Sequence, residues 1–119
     1  MTDPNCIFCK IARGEIPAKK IYDDDDVMAF HDIRPQAPVH ILVVPKAHVA
    51  TLYDAQTSHV QALGKMLALA GRLAREAGAA DGFRTIINTG RMGHQEVYHV
   101  HMHVLGGPEP LGPMLQRKK

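Results

Sequence analysis

The most regular pattern in the chain is an alternation of apolar and histidine side chains near its C-terminal end. Residues 98–105 read YHVHMHVL, so histidines occupy every second position. A period of two is typical of a β-strand, in which successive side chains point to opposite faces. We therefore predict a strand with one face that carries the imidazoles of His99, His101 and His103. The other face is expected to fill the core with Val100, Met102 and Val104.

Shorter apolar and β-branched runs predict the other strands, at residues 21–22, 27–33, 39–44 and 83–88. The run at 39–44, VHILVV, is the most apolar and is ended by Pro45, so a buried central strand fits it best. Four aspartates at 23–26 separate the first two runs. Their spacing is not that of an EF-hand loop, so a solvated turn is expected there instead of a calcium site.

Helical periodicity appears over residues 57–77, with Thr57 or Ser58 as the expected N-cap and Gly78 as the stop. The expected apolar stripe comprises Val60, Leu63, Leu67, Ala70, Ala74 and Ala77, widened by Met66, Leu69 and Leu73. A short helix is expected over 6–13, between Asn5 as N-cap and Gly14. The pattern as a whole predicts an α+β fold: about five antiparallel strands, one long helix on one face of the sheet and a short N-terminal helix.

The composition is that of an ordinary globular protein. The length of 119 residues suits a single domain over 1–119, with 45% hydrophobic and 22% charged residues. A net charge of +2 gives no reason to expect a nucleic-acid or acidic-membrane partner. No apolar run approaches the ~20 residues that span a bilayer, and residues 1–5 have no signal-like character. We expect a cytoplasmic protein with no nucleic-acid or membrane partner.

The spacing of the histidine row limits its chemistry. With a rise of about 3.3 Å per residue, neighbouring histidines lie roughly 6.6 Å apart along the strand and the outer pair roughly 13 Å apart. One zinc ion, with bonds near 2 Å, can bridge two of these rings but hardly all three. The central His101 is then free, and a neutral imidazole facing a cleft can be a nucleophile or a general base.

The two cysteines, Cys6 and Cys9, are three residues apart and share one face of the short helix. A Cys-x-x-Cys pair is a redox motif, half of a zinc site or two packed thiols. The redox interpretation requires a preceding strand, and only five residues precede Cys6. A zinc site requires two more ligands from elsewhere in the chain.

The motif at residues 99–105 resembles the signature of the histidine triad family of nucleotide hydrolases and transferases, in which three histidines alternate with apolar residues. Other segments resemble the nucleotide-binding branch of that family: FHDI at 30–33, PQAP at 35–38, residues 40–45, and LGG at 105–107. The segment PLGPML at 110–115 is similar to that of its bacterial members. The resemblance thus covers nearly the whole chain.

The resemblance implies a homodimer in which two sheets join into one. It also implies structural zinc, because related proteins with this Cys-x-x-Cys hold the ion with two further histidines. The ligand set here is then Cys6, Cys9, His48 and His99. Zinc is not required for the catalytic chemistry.

The same resemblance implies the catalytic roles. His101 attacks the α-phosphorus to form a covalent nucleotidyl-histidine, and water then releases the nucleoside monophosphate. His103 contacts the phosphate oxygens, His40 belongs to the same hydrogen-bonded cluster, and the His99 carbonyl orients the His101 ring. Without the resemblance, His40 is equally well a satisfied core histidine.

The nucleotide-binding residues follow by position. Asp32 corresponds to the residue that holds the ribose hydroxyls, although an aspartate before Arg34-Pro35 is also a common turn cap. Ile33 belongs to the base slot, and the loop that reaches the phosphate and leaving group supplies Asn88, Gly93, Gln95 and Glu96, next to His101 and His103. The chain departs from the family pattern at His94, often glycine, and at Glu96, serine in the animal enzymes. A carboxylate at Glu96 favours a cationic amine leaving group.

The expected activity is that of a purine nucleoside phosphoramidase, which cleaves the P–N bond of AMP or GMP conjugates and also acts on acyl-nucleotides. A serine hydrolase is disfavoured because Ser58, the only serine, lies at a helix start. Two alternatives remain open: a zinc-dependent hydrolase that activates water with two strand histidines, and a nucleotide-binding regulatory module with little turnover.

Overall fold

The computed structural model describes residues 3–115. Its strands form one antiparallel sheet in the order β1-β2-β3-β5-β4. The strands are β1 Lys20–Asp23, β2 Val27–His31, β3 Val39–Pro45, β4 Arg84–Ile86 and β5 Met102–Gly106. The helices are α1 Ile7–Ala12 and α2 Val60–Glu76, and two 3-10 turns span Leu52–Asp54 and Thr57–His59. The predicted α+β architecture is confirmed. No helix in the part of the chain described is long and apolar enough to cross a bilayer.

Apolar layers cover both faces of the sheet, and β3 is therefore buried along its whole length. On one face, Ile41 and Val43 pack with the α2 side chains Met66 and Leu73. On the other face, Leu42 packs with Phe8 and its neighbours from α1. Alternate residues of one buried strand therefore serve two cores, as the period of two requires.

The prediction for the apolar stripe of α2 was partly wrong. The buried residues are Met66, Ala70, Leu73 and Ala74, whereas Val60 and Leu67 are 63% and 59% exposed. The helix begins at Val60 because residues 57–59 form a 3-10 turn, and its N-cap is His59 instead of Thr57 or Ser58. Gly78 follows its end with a φ of +110°, a left-handed conformation that favours glycine.

Other boundaries also differ from the prediction. Helix α1 is capped by Cys6 and not by Asn5, and the strand expected over 83–88 contracts to Arg84–Ile86. The strand expected over 98–105 begins only at Met102, which pairs with Val43. Upstream of it, the Val100 N–H donates to the Val49 carbonyl, and the His99 carbonyl accepts a bond from a side chain. These backbone groups are thus engaged outside the ladder. The predicted alternation still holds, since Val100, Met102 and Val104 all lie in the α2-side core.

Candidate active site

A cavity of about 490 Å³ lies on the α1 side of the sheet. One part of its lining is apolar and comes from α1, the loop that follows it and β2, namely Ile7, Phe8, Ile11, Ile16 and Phe30. The polar part comprises His31, Asp32, Arg34, Gln36, His40, Asn88, His94, Glu96, His101 and His103. An apolar slot joined to converging polar groups is typical of a small-molecule site.

The protonation of His101 follows from a single hydrogen bond. Its Nδ1 lies 2.8 Å from the His99 carbonyl oxygen, and a carbonyl can only accept. Nδ1 therefore carries the proton and Nε2 carries the lone pair. The ring is 6% exposed, lines the cavity, and has the Phe8 ring at 5.1 Å and the His103 ring at 5.2 Å between centroids. His101 thus offers a nucleophilic nitrogen in a largely desolvated setting.

His40 and His103 form a relay with its direction set by the backbone. The Gln36 N–H donates to His40 Nδ1 over 2.9 Å, so the proton of a neutral His40 lies on Nε2. That Nε2–H donates to His103 Nδ1, also over 2.9 Å. His103 then carries its own proton on Nε2, which makes it a hydrogen-bond donor at the cavity, beside the His101 ring.

Burial keeps this relay neutral. It lowers the pKa of His40, with Asp32 acting in the opposite direction. The pKa of His103 is lowered chiefly by burial, and further by the neighbouring His101 and His40. Because a doubly protonated ring has no acceptor nitrogen, neutral rings are what the chain of bonds from Gln36 to His103 requires.

The His40–His103 geometry is that of a hydrogen bond and not of a chelate. Asp32 Oδ2 lies 3.4 Å from His40 Nε2, so these three residues offer ligand atoms close together. However, the two ring centroids are 5.1 Å apart, close to the roughly 5.2 Å of two rings that point straight at each other along an N–H···N bond of this length. Two nitrogens that face each other across one proton do not direct two lone pairs at a metal ion beside them.

In a second cluster, by contrast, the donor atoms are spaced like the ligands of one metal ion. Cys6, Cys9, His48 and His99 place one donor atom each within 4.8 Å of one another. His99 Nδ1 lies 3.2 Å from Cys6 Sγ and 3.6 Å from Cys9 Sγ. His48 Nδ1 lies 3.2 Å from His99 Nδ1 and 3.6 Å from Cys9 Sγ. Zinc–ligand bonds of about 2.05 and 2.3 Å give tetrahedral edges of about 3.3 Å between nitrogens and 3.6 Å between nitrogen and sulfur. The cluster can therefore hold a metal ion.

A hydrogen bond at Nε2 of His99 leaves its Nδ1 nitrogen free to bind a metal ion. Its Nε2 lies 2.7 Å from the Pro45 carbonyl and must donate, which leaves the Nδ1 lone pair facing the cysteines. The ring is fully buried, and burial lowers the pKa of His99 to about 4. Burial also raises the pKa of the Cys9 thiol. Imidazole nitrogens and thiols that ionise on metal binding make up a zinc-type donor set.

The chain resembles known proteins along most of its length. The HIT domain model matches residues 13–109. This chain belongs to the HIT domain family. It is 55% identical over 113 residues to the purine nucleoside phosphoramidase of Escherichia coli K12. The aligned residues cover 94% of each chain.

Two solved structures of the HIT type share the fold. A histidine triad protein from Clostridium difficile matches with a TM-score of 0.87 and 45% identity, over 95% of this chain and 99% of the other. A HIT family hydrolase from Clostridium thermocellum matches with a TM-score of 0.90 and 40% identity, over 97% of this chain and all of the other. The sheet with its two helices is therefore the HIT fold.

The structure divides the predicted nucleotide-binding residues of this HIT domain into two groups. Asp32, Ile33, Asn88 and Glu96 line the cavity together with His101 and His103. Asp32 uses Oδ1 to accept the Arg34 N–H, as a turn cap does, and places Oδ2 near His40. The turn-cap role and a place at the cavity are thus compatible, one oxygen for each.

Gln95 and Gly93 shape the loop instead of lining the cavity. Gln95 is 7% exposed; its amide accepts from the Gly90 N–H and donates to the Ala50 and Val97 carbonyls. A Cβ on Gly93 would lie 2.4 Å from the Thr89 carbonyl oxygen, so only glycine fits there. The Gln95 hydrogen bonds and the close approach of the backbone at Gly93 indicate a supporting role, and direct nucleotide binding by these two residues stays a prediction.

The apolar wall contributed by α1 was not predicted from the sequence. Ile7, Phe8 and Ile11 follow helical spacing, which is also what anchoring the helix to the sheet requires, so periodicity could not tell a slot from a core. Phe8 has both roles, because it lines the cavity and packs against Phe30 in the core. It also lies between Cys6 and Cys9 in the sequence. Its ring also meets His99 edge-on, with 5.7 Å between centroids. His99 of the Cys6, Cys9, His48 and His99 cluster and His101 thus share one aromatic neighbour.

Proposed function

We propose that this protein hydrolyses purine nucleoside phosphoramidates and acyl-nucleotides through a nucleotidyl-histidine intermediate on His101. The observation that carries the proposal is the hydrogen bond from His101 Nδ1 to the His99 carbonyl. It leaves a lone pair on Nε2 of a ring that lines the cavity. The name of the E. coli relative, purine nucleoside phosphoramidase, supports the choice of substrate.

The cavity offers a place for each part of such a substrate. Ile7, Phe8 and Phe30 supply an apolar slot of the kind that a purine base fills. Asp32 Oδ2 is an acceptor for ribose hydroxyls, and Ile33 at the rim, 90% exposed, gains cover when a base lies on it. The phosphate then lies at the polar part, among the histidines.

The two chemical steps use the assigned protons. His101 Nε2 attacks the α-phosphorus and forms a P–N bond to the protein, while the bond to the leaving group breaks. The His103 Nε2–H donates to a phosphoryl oxygen and stabilises the charge that grows there in the transition state. Water then attacks the same phosphorus, the His101–phosphorus bond breaks, and the nucleoside monophosphate leaves.

The covalent intermediate is tested by trapping. The wild-type protein, incubated with adenosine phosphoramidate and quenched in alkali, should show one added nucleotidyl group on the peptide containing His101 by mass spectrometry. His101→Ala should show none and should lose at least about 10³-fold in turnover, whereas His59→Ala, outside the cavity lining, should behave as wild type.

The contrary outcomes are equally specific. Turnover in His101→Ala at the wild-type rate would reject the nucleophile. Tight monophosphate binding with no more hydrolysis in the wild type than in His101→Ala would favour the nucleotide-binding regulatory module.

We propose that the Cys6, Cys9, His48 and His99 cluster holds structural zinc. All four tetrahedral positions are then taken by protein atoms, which is typical of structural and not of catalytic zinc. The ion fastens α1, and with it Phe8, to the sheet. This arrangement also argues against the zinc-dependent hydrolase, because the nucleophile His101 Nε2 is not a member of the cluster.

Zinc removal is expected to affect stability more than chemistry. Atomic spectroscopy should find about one zinc per chain in wild type and in His59→Ala, and almost none in Cys9→Ser. Chelation should lower the melting temperature of the wild type by at least about 5 °C. The adduct on His101 should still form in the fraction that stays folded; its loss there, restored by adding zinc, would favour the zinc hydrolase.

We propose that two copies pair along β4 and α2. Strand β4 pairs with β5 on one side, and its other edge has no partner among residues 3–115. Phe83, 42% exposed, comes directly before β4 and lies beside Gly71 of α2. One helical turn earlier is Leu67, one of the exposed apolar residues. An unpaired edge flanked by apolar side chains is suited to a second, identical edge.

Sedimentation velocity tests this pairing. The wild type should sediment as a dimer, and Leu67→Glu should shift it towards monomer because a charge is buried at the contact. Met92→Glu, at another exposed apolar side chain, should leave the dimer intact. A wild-type monomer at micromolar concentration, or equal effects of the two variants, would reject the interface. Location in the cytoplasm and the lack of nucleic-acid or membrane partners stay predictions.

A further inference from the structure

Helix α1 forms part of the cavity wall, but its own sequence does not stabilise it. It has 6 residues, whereas isolated helices shorter than about 12 residues are marginal in water. Its N-cap, Cys6, makes no side-chain capping hydrogen bond. The helix is therefore held in place by its contacts with the rest of the chain.

The polar contacts of the N-terminal segment all lead to two histidines. Residues 3–15 reach the rest of the described chain through hydrogen bonds and ion pairs only at His48 and His99. Cys6 Sγ lies 3.2 Å from His99 Nδ1, and Cys9 Sγ lies 3.6 Å from Nδ1 of both histidines. Apart from apolar packing, the two thiols are thus the main connection between α1 and the sheet.

The same helix supplies the apolar wall of the cavity. Ile7, Phe8 and Ile11 line it, and the first two belong to the slot proposed for the purine base. Phe8 lies between the two cysteines in the sequence. Its ring centroid is 5.7 Å from that of His99 and 5.1 Å from that of His101. The position of the thiols therefore determines the position of the wall.

Cys6 and Cys9 are also close enough to bond to each other. Both are free thiols, and their sulfur atoms lie within 4.8 Å of one another. Residues three apart on a helix have Cβ atoms about 5–6 Å apart, so a modest backbone adjustment reaches the roughly 3.8 Å of a disulfide. Cys6 already has an extended backbone at the helix start. Because metal ligation requires thiolates, a disulfide here binds no zinc.

We propose that Cys6 and Cys9 form a redox-sensitive latch that controls the affinity of the cavity for nucleotides. The latch is closed when the two sulfurs hold α1 at His48 and His99, and it is open when they are joined as a disulfide. The proposal rests on the function and the zinc site proposed above.

Hydrogen peroxide is the oxidant that opens the latch. Cys6 reacts first, because it is 9% exposed and Cys9 is fully buried. Its sulfur takes one OH from the peroxide, the O–O bond breaks, and the other oxygen leaves as water with the thiol proton. The Cys9 sulfur then attacks the Cys6 sulfur, the S–O bond breaks and a second water leaves. The two sulfurs lose two electrons in total, and the peroxide gains them.

An open latch should weaken binding and leave the chemistry of the bound substrate intact. The His99 ring keeps its bond from Nε2 to the Pro45 carbonyl, because no sulfur takes part in it. The His99 carbonyl therefore still orients the His101 ring. The wall formed by α1, in contrast, loses its connection to the sheet. An interaction that ground state and transition state share is lost, so KM rises and kcat stays nearly the same.

Oxidation of the zinc-loaded wild type tests the latch. After treatment with hydrogen peroxide, mass spectrometry should identify a disulfide in the peptide that contains both cysteines, and about one zinc per chain should pass to a chromogenic chelator. The Kd for AMP, measured by calorimetry, should rise by at least about 10-fold. Formation of the His101 adduct from saturating adenosine phosphoramidate should change by less than about 3-fold. Dithiothreitol with zinc should restore the affinity.

Amide hydrogen exchange shows where the structure loosens. The N–H groups of Lys10 and Arg13, which are bonded within the α1 segment, should exchange at least about 10-fold faster after oxidation, and those of β3 should not change. Cys9→Ser cannot form the disulfide, so it should bind AMP weakly before treatment and lose nothing more with peroxide. Met92→Leu removes an exposed methionine outside the cavity lining and should respond to peroxide as wild type does.

Several results would overturn the latch. One is an AMP affinity that is unchanged in the disulfide form, and another is a loss that Cys9→Ser shares when it is treated with peroxide. Faster exchange in β3 as well as α1 would show general unfolding instead of a local release. A disulfide that fails to form while Met92 is oxidised would also reject the proposal. In all these cases the reduced wild type still binds AMP and forms the His101 adduct, whereas a reduced wild type that does neither overturns the proposed function itself.

Discussion

The site depends on the hydrogen bond from His101 Nδ1 to the carbonyl of His99. This carbonyl accepts from the His101 side chain two residues away, upstream of Met102, where β5 begins. The same bond fixes the proton of His101 on one nitrogen and leaves the lone pair on the other. One backbone carbonyl therefore decides which nitrogen of His101 is available at the cavity. Backbone atoms decide the rest in the same way, since Gln36 sets His40 and Pro45 sets His99. A network ordered by backbone groups needs little reorganisation during reaction.

The two histidine clusters illustrate how the direction of a lone pair separates functions. In the His40–His103 pair the nitrogens face each other and share a proton. In the Cys6, Cys9, His48 and His99 cluster the donor atoms converge on one point, with separations close to tetrahedral edges. His99 takes part in both sites, because its ring belongs to the Cys6, Cys9, His48 and His99 cluster and its carbonyl orients the His101 ring. Phe8 adds a second link, as its ring touches both His99 and His101.

Much of the fold could be predicted from period alone. The run VHILVV correctly predicted the fully buried central strand. The alternation of histidine with Val100, Met102 and Val104 correctly predicted which side chains lie in the core. The buried stripe of α2 was harder, because Val60 and Leu67 fit the helical period and are nonetheless exposed. Period identifies an apolar face but not what covers it. The support given by Gln95 and the left-handed φ of His94 were out of reach, since both depend on contacts closed by the folded loop.

The positions of three histidine protons decide the proposed chemistry, and nitrogen-15 NMR of the histidine rings at neutral pH reports them directly. Long-range couplings between ring nitrogens and carbon-bound protons distinguish the two neutral forms of imidazole. We expect His101 as the form protonated on Nδ1, and His40 and His103 as the forms protonated on Nε2. Assignment comes from the spectra of single His→Gln variants. Finding His101 protonated on Nε2, with no lone pair at the cavity, would contradict the account at its centre.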